Sequence, residues 1–90
     1  MMYRTETKLQ GWQAVAVLDD GVERLLCLGR SAPQVRAGYA AACAELLDDA
    51  ERAAVRRIAL QRWQGAADQG RWCFEGVLPV PPRQAVADVA

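Results

Sequence analysis

Ninety residues carry eleven basic and eleven acidic side chains and no histidine, so the net charge at neutral pH is zero. That balance supplies no long-range field to gather nucleic acid, anionic lipid or acidic substrate, and the length allows one core but no deep enclosed pocket. Cys27, Cys43 and Cys73 are odd in number and form no C-x-x-C pair, which with the missing histidine excludes the common zinc frameworks.

The cysteines therefore read as small buried hydrophobes in a reducing compartment. Only Lys8 among the basic residues is lysine, a bias that reads as GC-rich bacterial coding and not as phosphate recognition. No apolar stretch near the start is long enough for a signal sequence or a membrane span, so the expectation is a cytoplasmic protein with no membrane contact.

Tyr3 to Leu9 alternates Tyr3, Thr5, Thr7 and Leu9 with Arg4, Glu6 and Lys8, the pattern of a half-buried edge strand. Gln10-Gly11 allows a turn or bulge, and Trp12 to Leu18 forms a second strand. Asp19-Asp20-Gly21 is a hairpin turn, because Asp-Gly tolerates the positive φ of a tight reversal. A third strand runs from about Val22 to Leu28. The runs Ala14 to Leu18 and Leu25 to Leu28 are apolar on both faces, so each face of their sheet needs cover.

Ser31-Ala32-Pro33-Gln34 reads as a helix-opening capping box with proline in the first turn. Val35, Tyr39, Ala42 and Leu46 recur at helical spacing, with Cys43 and Leu47 beside them. The opposite side is lined by Ala37, Ala40, Ala41 and Ala44, a surface that lets another element lie close.

Residues 49–64 fit two patterns. Asp48-Asp49-Ala50-Glu51 caps a second helix, or Asp48 pairs with Arg52 on one continuous helix. From Ile58 the strand period is preferred. Gly65 to Gly70 makes a loop, Arg71 to Leu78 returns as a strand, and Arg62-Trp63 faces Arg71-Trp72 across that hairpin. Pro79, Pro81 and Pro82 exclude the tail from a sheet interior and leave it extended or disordered.

The expected fold is α+β, a mainly antiparallel sheet of four or five strands with one long helix on one face, in the order β-β-β-α-β-β. Residues 1–78 make the domain and 79–90 a Pro-rich tail. The expected core runs from Val15, Val17, Leu26 and Leu28 through Val35, Tyr39, Cys43, Leu46 and Leu47. It ends with Ile58, Leu60, Phe74 and Leu78.

No constellation carries catalysis, a cofactor or a metal. Asp19, Asp20 and Glu23 offer too few convergent oxygens for a cation, and Asp48, Asp49 and Glu51 pair with no identifiable partner for acid–base work. Ser31 is spent on its cap, which leaves no serine nucleophile. The Pro-x-x-Pro-Arg run at Pro79 to Arg83 matches a proline-rich ligand only superficially.

Trp12, Trp63 and Trp72 are the candidate interface residues, since aromatic side chains anchor protein contacts and also stack on bases. Arg57, Arg62 and Arg71 are the candidate nucleic-acid contacts, with the acids at 48, 49 and 51 close by to neutralise them.

Residues 11–47, with strand Trp12 to Leu18, the Asp-Asp-Gly hairpin, the Leu28-Gly29-Arg30-Ser31 junction and the Ala-rich helix, resemble the arm-type DNA-binding module of tyrosine recombinases. The resemblance implies a three-stranded sheet laid in the major groove with one helix behind it. It carries over no DNA-contacting residue. The sequence as a whole predicts a non-enzymatic interaction module that self-associates, as a homo-oligomer, through its sheet or its Ala-rich helix surface. A nucleic-acid-binding module using Arg and Trp on the C-terminal hairpin is the alternative.

Overall fold

Four antiparallel strands and two helices make up the described chain. The computed structural model describes residues 11–66 and 68–82. The expected strand at Tyr3 to Leu9 lies outside those residues, as does the tail beyond Pro82.

Strand β1 (Trp12–Leu18) turns into β2 (Glu23–Gly29) through Asp19-Asp20-Gly21. Gly21 has φ +89°, and its N–H donates to the Leu18 carbonyl while the Leu18 N–H donates to Val22. Asp20 accepts from the Val22 N–H through its carboxylate, which fixes the tip.

Helix α1 (Ala32–Leu46) opens as expected: Ser31 Oγ accepts from the Gln34 N–H, and Gln34 Oε1 accepts from the Arg30 N–H. The ambiguous segment holds both of its readings in succession. Asp48 and Glu51 form a reciprocal capping box on a short helix α2 (Asp49–Ala54), and β3 (Val55–Gln64) comes directly after it, three residues before the expected start. β4 (Arg71–Leu78) completes the sheet, whose order is β2-β1-β3-β4.

In this order β1 pairs antiparallel with both β2 and β3, so the α1–α2 connection carries the chain from one side of β1 to the other. Helix α1 packs against β2 and β1 on one sheet face along the way. Residues paired across strands share a face, which defines the inner rows. One row is Arg24, Ala16, Ile58 and Leu78, and the next is Cys27, Ala14, Leu60 and Gly76. Against these rows pack Val35, Tyr39, Cys43 and Leu47 with Leu26, and this is the core. Ala14 and Ala16 are completely buried because α1 lies directly on them, and small side chains allow that approach.

Three expected core residues are instead exposed: Leu28, Leu46 and Phe74. Two β-bulges account for Leu28 and Phe74. Between Ala14 and Val15 of β1 the partner strand inserts Leu26, which turns inward and sends Leu28 to the far face. Between Leu60 and Gln61 the extra residue on β4 is Glu75, so Phe74 takes the opposite face from Gly76 and Leu78. Leu46 stands on the last turn of α1, where the C-cap Leu47 takes the buried position.

Polar groups tie the helices down. Arg24 on β2 forms an ion pair with Glu51 of α2. Arg52 pairs with Asp49 and donates to the Ala44 carbonyl at 3.1 Å and the Leu47 carbonyl at 2.7 Å, satisfying two acceptors that the end of α1 leaves open.

Candidate interaction surface

The outer face of the sheet is covered by no element among the described residues. Two cross-strand rows dominate it. One is Leu25, Val15, Ala59 and Val77; the other is Leu28, Gln13, Gln61 and Phe74.

In each row the large residues stand on the edge strands and are open to solvent: Leu25 50%, Val77 58%, Leu28 43% and Phe74 57% exposed. The shorter residues between them lie low and are shaded, Val15 at 6% and Ala59 at 3%. The result is a shallow apolar trough along β1 and β3. One polar contact crosses its floor: Gln13 Nε2 donates to Gln61 Oε1 at 2.6 Å, and Gln13 is itself buried.

Trp63 and Trp72 pair across the β3–β4 hairpin at one end of this face, their rings edge-to-face with centroids 5.2 Å apart. Trp63 Nε1 donates to the Ala66 carbonyl at 3.0 Å, so the indole also closes the hairpin loop. Its ring leaves no room at Gly70, where an added Cβ would stand 2.6 Å from the indole nitrogen and 2.5 Å from the Gln64 carbonyl oxygen. The hairpin therefore requires glycine there.

Trp12 sits apart from that pair. Its register partner is Arg62 on the inner side, where the guanidinium lies 5.4 Å from the indole centroid. The three candidate arginines are likewise divided. Arg57 faces outward with its guanidinium 5.9 Å from the Phe74 ring, Arg62 stacks inward on Trp12, and Arg71 opens β4 opposite Gln64. They form no single basic patch. Sequence reasoning passed over Leu25, Leu28, Phe74 and Val77 as surface residues; the bulges that expose Leu28 and Phe74 leave no compositional mark.

A second concavity lies on the helix side. Ala40, Ala41 and Ala44 of α1 form one wall, Ala53 at the end of α2 contributes to the floor, and Val80 to Pro82 form the opposite wall of a half-open cleft of about 810 Å3. Tyr39 anchors that second wall by donating its hydroxyl hydrogen bond to the Pro79 carbonyl.

The Cys27 and Cys43 thiols are not primed for chemistry. Burial pushes Cys27 and Cys43 above the ordinary thiol value, with the Arg52 charge opposing the rise at Cys43. Burial likewise raises the Tyr39 phenol, partly opposed by Arg36. A raised value means little thiolate at neutral pH. No group of three His, Cys, Asp or Glu side chains among the described residues is placed to hold a metal ion, and no described helix is long and apolar enough to cross a membrane.

Comparison of the chain with protein-family models, curated proteins and solved structures finds no match.

Proposed function

We propose that this protein is a non-enzymatic interaction module whose outer sheet face binds a second copy of itself. The observation that carries the reading is the clustering of Leu25, Leu28, Phe74 and Val77, all between 43% and 58% exposed, on one face that no described element covers. Contiguous apolar surface of this kind is uncommon on a soluble monomer and marks contact sites. A second copy suits it because the trough is nearly free of charge, with Arg57 and Glu23 confined to one end row. Two such faces meet as a sheet-on-sheet sandwich without burying an unpaired ion.

Sedimentation velocity over a concentration series tests this. The expected result is a monomer–dimer equilibrium that Leu28→Glu with Phe74→Glu abolishes. A wild-type chain that stays monomeric throughout overturns the reading.

A second reading, nucleic-acid binding, rests on the exposed Phe74 with Arg57 beside it and on the Trp63–Trp72 pair of the same face. Aromatic side chains on an open sheet supply stacking platforms for bases. The arm-type recombinase resemblance implies a three-stranded sheet laid in the major groove, with a helix behind it. Retention on single- or double-stranded DNA that falls steeply with added salt supports this alternative, because each neutralised phosphate releases counterions. Absence of retention at low salt ends it.

A further inference from the structure

We infer that the outer edge of β4 is a second contact for another copy of this chain, pairing antiparallel with the same edge about a two-fold axis at Cys73. This contact is separate from the apolar face and does not rest on it.

β4 ends the sheet, and no described strand pairs with its outer side. The backbone shows which groups that edge offers. The Trp63 N–H donates to the Gly11 carbonyl at 2.8 Å, so Trp63 turns its backbone groups towards β1. Its cross-strand partner Trp72 then holds a position without hydrogen bonds between β3 and β4, and its own N–H and C=O point off the sheet. Phe74, two residues on, points the same way. The alternation turns Arg71 and Cys73 back towards β3.

An open edge is a template for another strand, and the charges along it select which strand. Arg71 and Glu75 are both exposed, and neither belongs to an ion pair among the described residues. Antiparallel self-pairing centred on Cys73 sets Arg71 opposite Glu75 of the second copy, and symmetry repeats the match. It also sets Trp72 opposite Phe74, so the residues with outward backbone groups meet and exchange both bonds. Other registers lose this agreement. An axis at Trp72 puts Arg71 against Cys73, and an axis at Phe74 puts Glu75 against Cys73 and Arg71 against Val77. The edge is therefore complementary to itself in one register. The axis stands perpendicular to the sheet, so both outer faces stay open.

A few backbone bonds beside exposed ion pairs make a weak contact, and a covalent trap reads it best. At the axis the two Cys73 residues form a non-hydrogen-bonded pair with Cα atoms about 4.5 Å apart, inside the disulfide range of about 4.4–6.8 Å. Oxidised glutathione is the probe. One Cys73 thiolate displaces a glutathione thiolate to give a mixed disulfide. The second Cys73 thiolate then displaces the other, leaving the Cys73–Cys73 bond and two reduced glutathiones.

Cross-linking rates are compared for the wild-type chain, Arg71→Glu, Glu75→Arg, Arg71→Glu/Glu75→Arg and Leu25→Glu/Leu28→Glu. Each is divided by the rate of Cys73 alkylation with iodoacetamide, which removes the effect of nearby charge on the thiol. The expected product is a dimer linked through Cys73. Each single reversal slows it several-fold by opposing like charges, and the double reversal restores the rate. The Leu25→Glu/Leu28→Glu chain, whose outer face is spoiled, links as fast as wild type. Absent cross-linking, or cross-linking that ignores the reversals, overturns the proposal. So does its loss in Leu25→Glu/Leu28→Glu, which would make it a by-product of face association. Trp72 and Phe74 amides protected from exchange equally at every protein concentration also overturn it, since the edge would then be occupied within one chain. Sedimentation reads the face contact separately, so either contact can fail without the other.

Discussion

Arg52 joins the two helices with one guanidinium. It holds Asp49 on its own helix and donates to the Ala44 and Leu47 carbonyls, where α1 would otherwise end with unpaired acceptors. A cation at that end also complements the helix dipole. Hydrogen bonds of this partly exposed kind contribute about 1 kcal/mol together, so Arg52→Ala is expected to lower the melting temperature by about 4–8 °C in a domain of this size. Arg52→Lys, with one donor group and no fork, restores only part of the loss. An unchanged melting curve for Arg52→Ala would show that solvent already satisfies those carbonyls.

Titration at single residues gives a second expectation. Cys27, Cys43 and Tyr39 all have their ionisation pushed upward by burial, from ordinary values of 9.0, 9.0 and 10.0. The folded chain then keeps protons that the unfolded chain releases. Their contribution to stability is complete below about pH 9 and falls as pH rises through the raised values. The urea midpoint should therefore decline as pH rises above about 9, and Cys43→Ala should flatten part of that decline. A midpoint that rises over this interval contradicts the burial of these groups.

Between elements, the decisive devices are the two bulges and the pair of glutamines. Much of the architecture is legible in the residues: β1 has the expected boundaries, the Ser31 cap opens α1, and Trp63 faces Trp72 across the expected hairpin. These features are local, and local chemistry specifies them. The distribution of side chains between the faces is not local. A bulge reverses facing for everything beyond it, and its position depends on which partner strand pairs in which register. Leu26 and Leu28, two apart, therefore end on opposite faces, and so do Phe74 and Leu78. Of the surface argued from sequence, the Trp63–Trp72 pair was readable, while the four large apolar residues around it were not.

Gln13 and Gln61 fix β1 against β3 from the outer side. Each amide is the other's partner on an otherwise apolar floor, so removing one strands the other. Gln61→Val alone is expected to cost about 1–3 kcal/mol, the penalty of leaving the buried Gln13 amide without its bond, and Gln13→Val, which strands the half-buried Gln61, costs less. The double variant should recover much of that loss, since two β-branched side chains fill the same cross-strand site. Urea unfolding of the four chains completes the cycle. Simple addition of the two single losses would show that the bond contributes no coupling.

At the scale of the molecule, the two sides of the sheet have unequal cover. Helix α1 shelters the inner rows, whereas the outer rows keep their largest residues at the edges. Four strands about 4.8 Å apart and seven residues long at about 3.3 Å each give a face of about 440 Å2, so two copies meeting there bury about 900 Å2 by footprint. That lies below the standard size of stable protein complexes, about 1,200–2,000 Å2, and points to a weak, reversible dimer.

Such a dimer has two signatures. Its apolar contact should respond little to added salt, in contrast to phosphate binding. Its melting temperature should rise with protein concentration, because association stabilises only the folded chain. Phe74→Glu leaves Arg57 a carboxylate partner, and Leu28→Glu enters an exposed edge position, so the double variant should retain its dilute melting temperature to within about 0.5 kcal/mol of stability. It should also lose the concentration dependence. A variant that melts early even when dilute would mean that Leu28 and Phe74 hold the monomer together, and their exposure would then need an explanation within a single chain.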